Sequence, residues 1–139
     1  MIDLVRTARV ARLATHEPDG RIHLVPCCYA VAGGGPGPVV LYSAVDAKPK
    51  RSPALRRLAN VAADPDVALV VDHYDDADWT ALAWVRLRGT ARVVGDPAER
   101  AQAIELLVGR YAQYAATPPT GAVVAIEVDG WRGWRASPD

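Results

Sequence analysis

Apolar and polar residues alternate along much of this chain, and the longest alternation runs from Ala81 to Val94. Ala83, Val85, Leu87, Gly89, Ala91 and Val93 fall on one side of it; Leu82, Trp84, Arg86, Arg88, Thr90 and Arg92 fall on the other. A period of two is that of a strand with one apolar face and one face for solvent or an interface, and a strand this long suits a barrel. Gly89 marks a bend within it. Shorter strands are predicted over Ala11–Thr15 and Arg21–Val31, joined by Asp19-Gly20, a strong hairpin signal. On the return strand Ile22, Leu24, Pro26 and Cys28 share one face, and His23, Val25, Cys27 and Tyr29 the other. Pro26 cannot donate to a ladder, which points to an edge, a bulge or an approach by something other than a strand. Val39–Val45 is a further strand, Val67–Asp72 a buried central one, and Ala122–Val128 the last.

Helical periodicity is confined to three places. Residues 2–9 make one or two turns, with Ile2 and Val5 on one side. Ser52-Pro53 opens a short helix through Leu55 and Leu58, with Ser as N-cap and Pro at the first helical position. Asp96-Pro97-Ala98-Glu99 is a capping box that opens a longer helix to about Tyr114, with Ile104, Leu107, Val108 and Tyr111 as its apolar stripe. The loop 33–38 is rich in Gly and Pro but lacks the lysine and following helix of a phosphate loop, so it reads as a hairpin tip. Strands dominate and follow hairpin order, and helices are inserts between them. That pattern predicts a small antiparallel barrel with appended helices, not a doubly wound sheet.

With 139 residues the chain should form a single domain over 1–139, and with 50% hydrophobic residues it should fold as a globule. Its formal net charge of +0 argues against a general nucleic-acid or membrane binder. No apolar run approaches the length of a membrane span, and the first residues lack the apolar core of a secretory signal. The only cysteines, Cys27 and Cys28, are adjacent and point to opposite faces of a strand, so free thiols and a cytoplasmic location are expected.

Against that neutral balance, one local charge cluster stands out. Lys48, Lys50 and Arg51 follow the strand 39–45 and precede the Ser52-Pro53 helix start. Cations beside a helix N-terminus suit an anion, phosphate above all; a solvated basic turn is the alternative. The acidic run His73–Thr80 holds contiguous acids and no second histidine, which favours a solvated loop over a metal site. Cys27, Cys28 and His23 read as packing residues before they read as reactive ones, and no nucleophile–base motif is present. An anion site without catalytic side chains suggests chemistry delegated to a phosphorylated cofactor.

Three segments carry a family likeness: ARLATHEPDGRIHLVPCCYAV at 11–31, LYSAVDAKPKRSPALRRLANVAADPDVALVVD at 41–72, and WVRLRGTARVV at 84–94. In order and spacing they resemble the split β-barrel flavin and deazaflavin oxidoreductases named after pyridoxine 5′-phosphate oxidase, and within them the actinobacterial F420-dependent branch. The resemblance implies a mainly β (α+β) fold, a six-stranded antiparallel split β-barrel (FMN-binding split barrel) with a short and a long helix. It implies a cytoplasmic homodimer with cofactor sites at the subunit interface, coenzyme F420 as cofactor with FMN as the alternative, and hydride transfer between the deazaflavin C5 and a small organic substrate. Carried over by position, Lys48, Lys50 and Arg51 would hold the cofactor phosphate, with Ser43 hydrogen-bonding near it. Val25, Pro26 and Cys27 would lie beside the ring, and Trp131 of the partner would close the pocket. No metal, nucleic acid or membrane enters this picture. Arg86, Arg88 and Arg132 are candidates for the anionic tail of F420. A non-enzymatic cofactor carrier or haem-binding relative of the fold is the remaining alternative, with His16, His23 and His73 the only possible axial histidines.

Overall fold

The computed structural model describes residues 2–45 and 53–137. One antiparallel sheet of seven strands organises them, in the order β2-β1-β5-β6-β7-β4-β3. The strands are β1 Ala11–His16, β2 Ile22–Cys27, β3 Ala30–Ala32, β4 Val40–Ala44, β5 Asp66–His73, β6 Ala83–Val93 and β7 Val123–Arg135. The helices are α1 Ile2–Thr7, α2 Pro53–Ala63, α3 Pro97–Arg110 and α4 Ala112–Ala116, with a 3-10 turn at Trp79–Ala81. The sheet curls around a core that includes Leu13, Leu41, Leu69, Val71, Val85, Leu87, Val124 and Ile126. This is the expected split-barrel architecture.

β6 is the spine. It pairs with β5 along Ala83–Thr90 and with β7 along its whole length. The alternation is kept in space: Val85, Leu87, Gly89 and Ala91 are buried, and Arg86, Arg88, Thr90 and Arg92 are exposed. A bulge at Arg88/Gly89 bends the ladder with β7. There the strands approach so closely that a Cβ on Gly89 would lie 2.4 Å from the Glu127 carbonyl oxygen. The four residues Val123–Ile126 of β7 are all buried, because one face looks into the barrel and the other is covered by α3. Tyr42, Ala103, Val123 and Ala125 form that second, smaller core.

Three elements differ from expectation. The return strand 21–31 is two strands, interrupted at Cys28 and Tyr29, so the sheet has seven strands where six were predicted. The reason is that side chains take over the ladder bonds there. Ser43 Oγ donates to the Cys28 carbonyl at 2.7 Å, and the Tyr29 N–H donates to the Tyr111 hydroxyl at 3.0 Å. The long helix expected to run to about Tyr114 breaks at Tyr111, whose backbone is extended (φ −120°, ψ 123°), which frees its ring to reach Tyr29 and the Arg9 carbonyl. The last strand continues beyond Val128 to Arg135, because the long β6 offers partners for Gly130–Arg135.

Polar contacts tie the helices to the sheet. Arg110 donates to the carbonyls of Arg6 and Ala8, and its guanidinium lies 4.9 Å from the Tyr29 ring centroid. On the other side of α3, Arg92 grips Glu99 through two bonds of 2.7 Å, and the Tyr42 hydroxyl donates to the same carboxylate at 2.8 Å. These donors pull the Glu99 carboxyl down from its ordinary 4.5 to about 2. Burial and that same bond push the Tyr42 phenol up to about 12.

Gly89→Ala should lower the unfolding free energy by about 1–3 kcal/mol, read from urea denaturation, because the Glu127 backbone must move. Glu99 has a depressed folded-state pKa, so it adds stability that is complete above about pH 4.5 and lost as the pH falls towards 2. The stability gap between wild type and Glu99→Gln should therefore be constant from neutral pH to about pH 5 and narrow below it. A gap that stays flat down to pH 3 would refute this.

Candidate functional site

The curled sheet leaves two faces to consider around β2. Residues of β1 and β2 that lie opposite each other share a face. Ala11 faces Cys27, Leu13 faces Val25 and Thr15 faces His23 on the inner side; Arg12 faces Pro26, Ala14 faces Leu24 and His16 faces Ile22 on the outer side. The expected trio Val25, Pro26 and Cys27 is therefore split: Val25 and Cys27 look inward and Pro26 outward. β2 is also a free edge of the sheet, as Pro26 suggested.

On the inner side, α2 lays a polar layer over β1 and β2. Asn60 Nδ2 donates to Thr15 Oγ1 at 3.1 Å, and both residues are buried. Arg57 is only 9% exposed, and among the described residues its Nε lacks a hydrogen-bond partner; so does the buried His23 Nδ1. Burial pushes the Cys27 thiol up, against the Arg57 guanidinium and a hydrogen bond with Ser43, which pull it down. Cys27 is thus a packed thiol, not a thiolate nucleophile. Ser43 is buried and its hydroxyl is engaged with the Cys28 carbonyl, so it braces the end of β2. Arg57 and Asn60 went unnoticed in the sequence. The available signal was the adjacent pair Arg56 and Arg57 in an amphipathic helix, of which Arg56 turns outward to Glu17 at 3.1 Å.

On the outer side, Ile22 and Leu24 stand 61% and 64% exposed beside Pro26. The face continues over Ala14 on β1, Ala68 and Val70 on β5, and Trp84, Arg86 and Arg88 on β6. Two clefts cut into it. One of about 230 Å³ is lined by His16, Ile22, Asp66, Ala68, Arg86 and Arg88. The other, of about 350 Å³, is lined by residues including Val70, Asp72, Tyr74, Leu82, Trp84 and Trp134. A larger depression of about 780 Å³ lies between α1, β3 and α3, but its Arg110 is engaged with the α1 carbonyls.

Lys48, Lys50 and Arg51 lie outside the described residues. Trp131 is half exposed and lies opposite Leu87, on the face that elsewhere lines the core; in sheet order β1, β5 and β6 stand between its strand and β2. The structure thus brings Ser43 and Cys27 together and does not bring Trp131 to them. Trp134, by contrast, joins the outer face. In the acidic loop the carboxylates are engaged locally: Asp75 accepts from the Ala77 N–H, Asp76 from the Tyr74 hydroxyl, and Asp78 from the Thr80 N–H. Among the described residues no group of three or more His, Cys, Asp or Glu side chains is placed to hold a metal ion, and no helix is long and apolar enough to cross a membrane.

The family model of pyridoxamine 5′-phosphate oxidase matches residues 1–135. Among solved structures, a conserved hypothetical protein of Mycobacterium tuberculosis is 24% identical with a TM-score of 0.75, over 96% of this chain and 81% of its own. An FAD-binding protein of Mesorhizobium loti is 21% identical with a TM-score of 0.71, over 98% and 92%. A haem-binding protein of Mycobacterium smegmatis is also 21% identical with a TM-score of 0.71, over 98% of this chain and 52% of its own. At these identities the likeness is one of fold. No curated protein matches.

The two thiols should differ in reactivity. Iodoacetamide at about pH 8 should alkylate the half-buried Cys28 in the folded protein and Cys27 only in urea. Fragment-ion mass spectrometry separates the neighbours, and equal rates in the folded state would contradict the packing described.

Proposed function

The chain belongs to the pyridoxamine 5′-phosphate oxidase family, and from that premise we propose that it binds coenzyme F420 and transfers a hydride between that cofactor and a small organic substrate, at a site shared by two copies of the chain. The observation that carries the cofactor class is the family match over residues 1–135, together with the free edge at β2. Half of the main-chain N–H and C=O groups of an edge strand point away from the sheet. Beside that edge, Ile22 and Leu24 offer an exposed apolar surface. This donor set fits a flat ring system bearing carbonyls and a ring N–H: main-chain groups for its rim, apolar side chains for its face. The phosphate would fall to Lys48, Lys50 and Arg51, the cations that follow β4 in the sequence.

Such a cofactor supplies the hydride chemistry; the chain's own part is to bind, orient and exclude water. Main-chain N–H groups of β2 orient the ring. Ser43 braces the end of β2 against β4, and the Asn60–Thr15 bond ties β1, the strand beside it, to α2. Ile22 and Leu24, exposed on an edge strand, support a second copy seated at the β2 edge, from which Trp131 would reach the site. The F420 preference rests on the sequence resemblance of 11–31, 41–72 and 84–94; FMN is the runner-up, supported by the FAD-binding relative of this fold. The haem-binding relative keeps a haem reading open, for which His16 and His73 are the accessible axial residues.

Titration of the purified protein with F420, FMN and haemin tests the three readings together. F420 should bind about tenfold or more tightly than FMN, a difference of about 1.4 kcal/mol or greater. Lys50→Ala with Arg51→Ala should weaken F420 binding while leaving the urea midpoint unchanged. A preference for FMN moves the protein to flavin chemistry, and a Soret shift with haemin without F420 binding overturns the redox reading.

A further inference from the structure

Beyond the β2 edge, the outer face of β6 and β7 carries two side-chain pairs, one of which, Arg86 with Arg132, the family resemblance offered to the anionic tail of F420. Trp84 lies opposite Trp134, and Arg86 lies opposite Arg132. Directly opposed residues of an antiparallel pair share a face, with Cβ atoms about 5 Å apart. The next pair on that face is two residues along, roughly 7 Å away. An aromatic pair therefore stands beside a guanidinium pair. On β5, Asp72 is the neighbour of Trp84 and Val70 the neighbour of Arg86.

The charges do not cancel. Asp72 is taken by Arg12, whose Nη1 donates to it at 3.0 Å. Among the described residues no carboxylate comes within ion-pair range of Arg86, Arg88 or Arg132. Like charges placed directly opposite each other on a sheet destabilise it, and among the described residues nothing offsets this pair. Two guanidinium groups side by side suit one carboxylate or phosphate, which they can bind through several parallel hydrogen bonds. Next to them the cleft of about 350 Å³ is walled by Trp84, Trp134, Tyr74 and Val70, which is room for a fused aromatic ring system.

We infer that this face binds a planar aromatic molecule bearing a carboxylate or phosphate roughly 7 Å from its ring centre, the spacing of successive pairs on one sheet face. The ring lies against Trp84 and Trp134, and the anion on Arg86 and Arg132. A second copy seated on the same patch would set guanidinium pair against guanidinium pair about a two-fold axis, so a small anion is the better occupant.

Calorimetric titration with 2-naphthoate, 2-naphthyl phosphate and neutral 2-naphthalenemethanol tests this. At least one of the anions should bind about tenfold more tightly than the alcohol, the effect expected of a charge-assisted contact; which one does so identifies the anionic group. Arg86→Gln with Arg132→Gln should abolish that preference and leave the alcohol's affinity unchanged. Trp134→Leu should weaken all three. Anion binding should persist with saturating F420 or FMN present. Equal affinities for anion and alcohol, displacement by cofactor, or an arginine double variant altered in sedimentation coefficient but not in anion affinity would each overturn the inference. Anion binding that depends on both arginines in a protein that binds no cofactor would leave the site standing and refute only the redox reading.

Discussion

The close approach of β6 and β7 at Gly89 is the constraint from which the rest of the structure follows. Without a side chain there, β7 can press its Glu127 carbonyl against β6 and bulge at Arg88/Gly89. The bend curls the sheet, so that Val85 and Leu87 on one stretch and Ala91 on the next line a common interior. It also divides β7 into two parts with different duties. Its first half is buried on both sides, between barrel core and α3. Its second half, Gly130–Arg135, has β6 on one side only and presents the aromatic and cationic pairs of the outer face.

A curled sheet of this size cannot close all its ladders, and side chains satisfy the main chain where strands stop. Ser43 and Tyr111 do this at the break between β2 and β3. Arg110 does it at the end of α1, where it meets the carbonyls of Arg6 and Ala8. The Arg92–Glu99–Tyr42 cluster anchors the first turn of α3 to β6 and β4. Tyr42, Tyr111 and Arg110 hold elements far apart in sequence, and Arg92 joins two consecutive ones. Against this background Arg57 Nε and His23 Nδ1 stand out as buried polar atoms with no partner among the described residues.

The two sides of the sheet divide the work. The inner side holds the core and a polar layer under α2 that ties the helix to β1. The outer side has an apolar edge at Ile22 and Leu24, and a guanidinium and aromatic patch on β6 and β7. An edge that offers main-chain groups to a ring lies in the same sheet, across β1 and β5, as a patch suited to an aromatic anion.

Much of this was legible in the sequence. Alternation over 81–94 assigned the inward and outward residues of β6, because a strand's period of two leaves no freedom once one face is buried. Asp19-Gly20 determined the first hairpin, where Gly20 takes φ +86°, and Asp96 caps α3 with bonds to the Ala98 and Glu99 N–H groups. Pro26 marked an edge. Local chemistry decides such features, since the interacting groups lie within a few residues of one another. The break at Cys28–Tyr29, the kink at Tyr111 and the extension of β7 to Arg135 were settled only by tertiary structure. They depend on partners such as Ser43, Tyr111 and the long β6, which are distant in sequence and carry no local signal. The same holds for the sites. Residue type alone could nominate Cys27, Ser43 and Trp131. Only the register of β6 with β7 sets Trp84 against Trp134 and Arg86 against Arg132, because contact across a sheet is a property of pairing, not of either strand.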